Sequence, residues 1–158
     1  KNLLALFVGA ALYFTAVMHL TNLYFAKQID YERFLLLDGG VYTMAFWLGQ
    51  VLIGGILPLA LLFAPGATQT RVIAASVLVV LGGLAQMFVT IVGGQAFPLE
   101  IFPGHVASSR FGDGAVARYV PSLPELLLGI GGLGAAFLLT IVGIRVLDFL
   151  PADDGAVA

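Results

Sequence analysis

A glutamate lies at the start of an apolar segment, where its carboxylate could take part in a reaction. In the stretch "RYVPSLPEL", Ser122 to Glu125 fits the S-x-x-E capping box, whose two side chains satisfy free backbone N–H groups at a helix start. The same carboxylate lies about one turn inside a segment apolar enough to cross a bilayer, where ionisable groups tend to face a bundle interior or a wet cavity. Two interpretations of Glu125 therefore stay open: a helix cap alone, or a cap that also accepts protons.

Two further polar side chains lie in the first apolar segment, within "VMHLTNLY". His19 and Asn22 are spaced to share one face of a helix. They predict either an interhelical hydrogen bond, or a hydrogen-bond donor to a quinone carbonyl or a proton relay. The other histidine, His105, lies in a loop, which disfavours a bis-histidine haem within this chain.

Several other polar residues carry weaker signals. Gln95, in "VGGQAFPLEIFPG", ends an apolar segment where a buried amide must find a partner. Tyr119 is placed for an interfacial anchor, a common role of tyrosine at membrane surfaces. The charged residues Arg110, Asp113 and Arg118 are either plain surface charges or a docking face for an extramembrane subunit.

The segments that must position these residues are four long apolar runs. The chain is 60% hydrophobic and 10% charged, with a mean hydropathy of +1.04, whereas soluble domains have roughly 25% charged residues. Runs of about 20 apolar residues are long enough to span a bilayer. The sequence therefore predicts an all-α membrane protein in which four transmembrane helices form one four-helix bundle over 1–158. The predicted spans are 3–25, 41–64, 72–97 and 121–150, with a long loop over 98–120.

Composition also excludes several functional classes. The net charge of −2 and the scattered basic residues do not form a nucleic-acid surface. The chain has no cysteine, so it has no disulfide, thiolate zinc site or iron–sulfur cluster of its own, and no metal-binding spacing is present. It begins with Lys1 rather than Met and enters apolar sequence at once, from which we expect a fragment of a longer subunit.

Two motifs resemble one family of membrane proteins. "GGQAFPLEIFPG" ends one predicted span and "YVPSLPELLLGIGGLG" opens the last, and "FWLGQVLIGGILPLALLF" and "FLLTIVGIRVLDFLP" add to the likeness. Together they resemble the C-terminal half of the NrfD/PsrC-like family, the membrane subunits of polysulfide reductase and its relatives. The likeness extends over the whole chain, with its specific motifs in the second half.

The resemblance implies a function and a set of partners. Members of the family are haem-free subunits of two four-helix bundles that exchange electrons between membrane quinone or quinol and a docked iron–sulfur subunit. We accordingly expect no cofactor bound within this chain, quinone as substrate, and iron–sulfur clusters and further redox centres on partner subunits. The other expected partners are membrane lipid and a missing N-terminal bundle of the same subunit. The expected location is a prokaryotic cytoplasmic membrane. Glu125, His19, Gln95 and Tyr119 would lie on a proton path or near the quinone.

Two other functions fit the residues. A structural subunit could anchor a respiratory complex without taking part in its chemistry. A bundle could also translocate protons or a solute without quinone, although no clear internal repeat of the kind found in many transporters is visible.

Overall fold

Four long apolar helices dominate the structure, a computed structural model that describes residues 1–66, 68–98, 115–117 and 119–147. In these ranges the chain forms helices and no strand. The helices are α1 (Asn2–Tyr24), α2 (Ile29–Arg33), α3 (Val41–Phe63), α4 (Gln69–Ala96) and α5 (Leu123–Val146). All except α2 are long and apolar enough to cross a membrane. The predicted all-α membrane fold is therefore confirmed, and the chain is an integral multi-pass membrane protein.

The chain divides into two units, residues 1–118 with α1 to α4 and residues from 119 onward with α5. The packing of α5 with the other helices in a single bundle stays a prediction. In the first unit, many large apolar side chains are exposed, including Leu6 and Phe14 of α1. Such a surface suits hydrocarbon rather than water.

The core of the first unit consists of two small apolar clusters. One contains Leu62 of α3 and Ala75 of α4, together with Ala5 near the beginning of α1. The other lies near the end of α4, and its buried members are Phe34, Leu35, Tyr42, Phe46, Val89 and Ala96. The second cluster holds the connection between α1 and α3 against the helices, and this connection carries part of the candidate site.

Two spanning helices contain π-helical stretches, Ala45–Ile56 in α3 and Phe88–Gly93 in α4. The wider π turn changes which side of the helix each side chain faces, and such stretches occur frequently at functional sites. Gln50 lies in the first stretch and Thr90 in the second, and both border a cavity described below.

Helices α3 and α4 approach most closely at two glycines. A Cβ atom built on Gly82 would clash with the Cα atom of Gly54, and one built on Gly54 would lie 2.6 Å from the Cα atom of Gly82. One turn away, a Cβ atom on Gly49 would lie 2.6 Å from Ala85 Cβ. Small residues permit this close backbone approach between helices in lipid, where packing is a main driving force for association.

We predict that Gly82→Ala destabilises the protein, because the added methyl group meets backbone rather than a movable side chain. Forced overpacking of this kind typically costs about 1–3 kcal/mol. The matched control is Gly83→Ala, since a Cβ atom there meets nothing within 4 Å. Thermal unfolding in detergent should show a lower Tm for Gly82→Ala only. Equal Tm values for the two variants would contradict the glycine contact.

Candidate functional site

A buried carboxylate lies at the centre of the candidate site. The Glu32 side chain is 0% exposed, and His19 is 7% exposed. His19 Nδ1 lies 2.6 Å from Glu32 Oε2, and Asn22 Nδ2 donates a hydrogen bond to Glu32 Oε1 at 2.7 Å. We call His19, Asn22 and Glu32 the carboxylate cluster. Both carboxylate oxygens thus have a partner, as a buried ionisable group requires.

The chain forms this cluster by reversing direction directly after α1. His19 and Asn22 lie three residues apart and therefore share one face of α1. The helix ends at Tyr24, Phe25 is extended, and a 3-10 turn over Ala26–Gln28 leads into α2. Glu32 consequently lies next to His19, which is 13 positions earlier in the sequence.

Three hydrogen bonds attach the connection after α2 to the beginning of α3. Thr43 Oγ1 donates to the carbonyl oxygen of Phe34 at 3.2 Å and accepts from the N–H of Gly39 at 3.0 Å. Trp47 Nε1 donates to the carbonyl oxygen of Leu36 at 2.9 Å. The positive φ of Gly40, 57°, allows the chain to turn into α3 at once. With Phe34 in the core as well, α2 and its glutamate are held in place.

The cluster has the composition of a proton-exchanging pair. An ionised carboxylate only accepts hydrogen bonds, so the imidazole tautomer that can pair with an ionised Glu32 is the one with a proton on Nδ1. The ring nitrogen Nε2 is then the position at which the imidazole can accept a proton. A protonated His19 would remain paired with Glu32, which limits the cost of placing a charge away from water.

A cavity of about 360 Å³ adjoins the carboxylate cluster between α1, α3 and α4. We call it the cluster cavity. Besides His19 and Asn22, its polar lining residues are Thr15, Tyr31, Gln50, Gln86 and Thr90. The volume lies within the range of about 300–1,000 Å³ that is typical of small-molecule sites. Seven of its twelve lining residues are polar, and polar groups that converge on a pocket can orient a ligand through hydrogen bonds.

Two side chains of the cluster cavity have definite hydrogen-bonding roles. Burial raises the pKa of the Tyr31 phenol above its usual value, and the neighbouring Glu32 charge adds to the increase. Tyr31 is therefore a neutral hydroxyl donor throughout the physiological pH range. Gln50 Nε2 donates to Thr15 Oγ1 at 3.3 Å, which joins α3 to α1 across the cavity wall.

The second unit places Glu125 and Tyr119 together, as parts of a helix start. The predicted capping box is present, with Ser122 before the first helical residue and the Ser122 N–H donating to Glu125 Oε2 at 2.7 Å. Tyr119 Oη donates to the same oxygen at 3.1 Å. The helix-cap role of Glu125 is thereby confirmed. Its second predicted role, proton transfer, stays a prediction.

The remaining predicted site residues are distributed differently. Gln95 is exposed near the end of α4 and is not among the residues that line the cluster cavity. Its proposed role near a proton path stays a prediction. Three of the predicted residues, the docking residues Arg110, Asp113 and Arg118, lie outside the residues that the structure describes.

Sequence reasoning identified His19 but missed Glu32. The glutamate lies in the polar segment "AKQIDYERFLLLDGG", which resembles an exposed connection. The apolar run directly after Glu32 indicated that this glutamate is buried. Phe34 and Leu35 of that run are buried, and they place the end of α2 next to the core. A carboxylate next to such a run predicts a buried partner for a histidine in an apolar segment, here His19.

Comparisons with known proteins agree with the membrane architecture. A family model described as "Polysulphide reductase, NrfD" matches residues 1–99, which contain α1 to α4 and the carboxylate cluster; the motif at the start of α5 lies outside the match. The chain is also 29% identical over 159 residues to the Hdr-like menaquinol oxidoreductase integral membrane subunit of Archaeoglobus fulgidus. That alignment covers 96% of this chain but 40% of the relative, so the chain spans well under half of the relative's length. No solved structure matches the chain.

We predict that Glu32→Ala strongly destabilises the protein. Removal of the carboxylate leaves the buried Nδ1–H of His19 and the side-chain amide of Asn22 without their acceptor, and an unsatisfied buried polar group typically costs about 1–3 kcal/mol. The matched control is Asp38→Ala, which removes an exposed ion pair with Arg33 at 3.0 Å, an interaction worth about 0–1 kcal/mol. Thermal unfolding of both variants measures the difference. A Glu32→Ala protein as stable as Asp38→Ala would show that the cluster contributes little to the fold.

Proposed function

Because the chain belongs to the NrfD family, we propose that it is part of an integral membrane subunit of a quinone-linked redox complex, and that its carboxylate cluster transfers protons at the quinone. The observation that carries this proposal is the buried His19–Glu32 pair at 2.6 Å beside a cavity with several polar groups. The name of the Archaeoglobus relative, a menaquinol oxidoreductase subunit, supports the same substrate class. Its archaeal source favours a prokaryotic cytoplasmic membrane.

The cluster cavity offers the contacts that a quinone ring needs. A quinone has two carbonyl oxygens, which accept hydrogen bonds, and its quinol has two hydroxyl groups, which also donate. Tyr31 as a neutral phenol can donate to a carbonyl oxygen, and Gln86 or Thr90 can do so from α4. His19 can accept from a quinol hydroxyl through Nε2. The apolar walls would enclose the rest of the ring.

The proposed chemistry assigns protons to this chain and electrons to a partner. Oxidation of a quinol releases two electrons and two protons. His19 accepts one proton from a quinol hydroxyl group, and Glu32 stabilises the resulting imidazolium. His19 passes that proton on to water and then accepts the second proton, and quinone reduction runs the same transfers in reverse. The chain has no cysteine, so the clusters that exchange the electrons are held by an iron–sulfur subunit. Arg110, Asp113 and Arg118 are the proposed docking residues for it.

We predict that Glu32→Gln lowers quinol-dependent turnover while the complex still assembles. The amide keeps an oxygen that can accept from Asn22 but cannot stabilise a protonated His19 by charge. Loss of a positioned acid–base group typically costs about 10²- to 10⁴-fold in rate. The measurement is quinol-dependent electron transfer in the intact purified complex, with cluster content and subunit composition checked in parallel.

The control for this experiment is Asp38→Asn, an equally conservative change of an exposed carboxylate in the same connection. It should leave turnover at the wild-type rate. If Glu32→Gln also retains the wild-type rate, the carboxylate cluster holds the fold only, and the subunit acts as a membrane anchor. Proton movement without any electron donor would instead favour translocation.

Glu125→Gln in the same assay tests the second proposed proton carrier. Glutamine keeps a side-chain oxygen that can accept from the Ser122 N–H, so the helix cap is preserved while the charge is lost. If Glu125 belongs to the proton path, turnover falls although assembly holds. Unchanged turnover would reduce Glu125 to the capping role that its hydrogen bonds already explain.

A further inference from the structure

Asn22 holds one of the two carboxylate oxygens of Glu32. Its side-chain amide donates to Oε1 at 2.7 Å, while His19 Nδ1 lies 2.6 Å from Oε2. Asn22 and His19 lie on the same face of α1, so one helix holds the carboxylate from both sides. The amide occupies Oε1 and thereby leaves Oε2 to His19.

Asn22 and His19 line the cluster cavity, whereas Glu32 does not. Glu32 is fully buried and is not among the lining residues of the cavity. A proton from a ligand in the cavity therefore reaches the His19–Glu32 pair through the imidazole. Glu32 supplies the charge that the imidazole meets, and Asn22 acts on His19 through Glu32.

The amide of Asn22 stabilises the two protonation states of this pair unequally. Before proton transfer, a neutral imidazole faces an ionised carboxylate, and the pair has one net negative charge. After proton transfer, an imidazolium faces the carboxylate, and the net charge is zero. The positive end of an N–H dipole stabilises a net negative charge more than a neutral ion pair, because the imidazolium offsets the carboxylate charge. Without the amide, the pair would hold its proton more strongly.

We propose that Asn22 is a positioning residue that, through Glu32, sets the pH at which His19 can accept a proton. This inference rests on the proposed function, in which His19 takes protons from a quinol one after the other. A pair that holds its proton too strongly would not release it to water before the second transfer. The hydrogen bond from Asn22 keeps the pair able to do so.

The other groups around the pair are neutral or exposed. Tyr31 of α2 is a neutral phenol, and Tyr42 of α3 donates to the carbonyl oxygen of Ala117 at 3.4 Å. The neighbours that contact His19 or line the cavity from α3 and α4 include four further uncharged side chains, Phe46, Gln50, Gln86 and Thr90. The charged side chains of the α1–α2 connection and of α2, apart from Glu32, are exposed: Lys27, Asp30 and Arg33. A changed pH dependence after substitution of Asn22 would therefore report on the His19–Glu32 pair.

The test is the pH profile of electron transfer from menadiol in the intact complex with Asn22→Leu. Leucine has nearly the volume of asparagine and no donor. Oxidation of the quinol requires an unprotonated His19, so the acidic limb of the profile should move to higher pH. We expect a shift of about one pH unit, which is within the effect of one hydrogen bond to a carboxylate. Turnover above the shifted limb should approach the wild-type rate. Asn22→Ala, which leaves room for water beside Glu32, should give a smaller shift in the same direction.

The control is Thr21→Val, on the next residue of α1. It removes an exposed hydrogen bond from Thr21 Oγ1 to the carbonyl oxygen of Val17 at 2.7 Å and should leave the profile unchanged. A wild-type profile in both Asn22 variants, or a fall in turnover that is equal at every pH, would overturn the role of Asn22. Failure of the proposed function is separately visible, because Glu32→Gln would then retain wild-type turnover.

Discussion

The burial of one carboxylate in a membrane protein constrains the rest of the first unit. Glu32 is fully buried, so it needs donors for both oxygens, and α1 supplies them from two side chains on one face. The chain must therefore reverse tightly after Tyr24 and bring α2 back against α1. The apolar run after α2 and the bonds from Thr43 and Trp47 hold it there.

The contact between α3 and α4 serves a complementary purpose. Gly54 and Gly82 bring these two helices close together, so that the open space of the first unit lies toward α1. Gln50 bridges that space by donating to Thr15. Close packing on one side and polar attachment on the other leave the cluster cavity open between α1, α3 and α4.

The sequence predicted features that depend on local rules and missed those that depend on tertiary folding. The four spans follow from apolar length, and their observed bounds differ from the predicted ones by a few residues. The cap at Ser122 and Glu125 follows from residue spacing alone. The burial of Glu32 does not follow from residue spacing. It depends on Phe34 and Leu35, which lie in a core that α3 and α4 complete. The direction of Gln95 could not be predicted either, since the π-helical stretch before it changes the helical register.

The proposed proton exchange is favoured by the position of the carboxylate cluster near the end of α1. His19 lies about one and a half turns before the end of α1, roughly 7 Å from the helix end at the rise of an α-helix. The α1–α2 reversal lies at that end, and in the proposed function this end of α1 faces water, which leaves the cluster a short path to the aqueous phase. A charge near a membrane face also costs less than one at the bilayer centre.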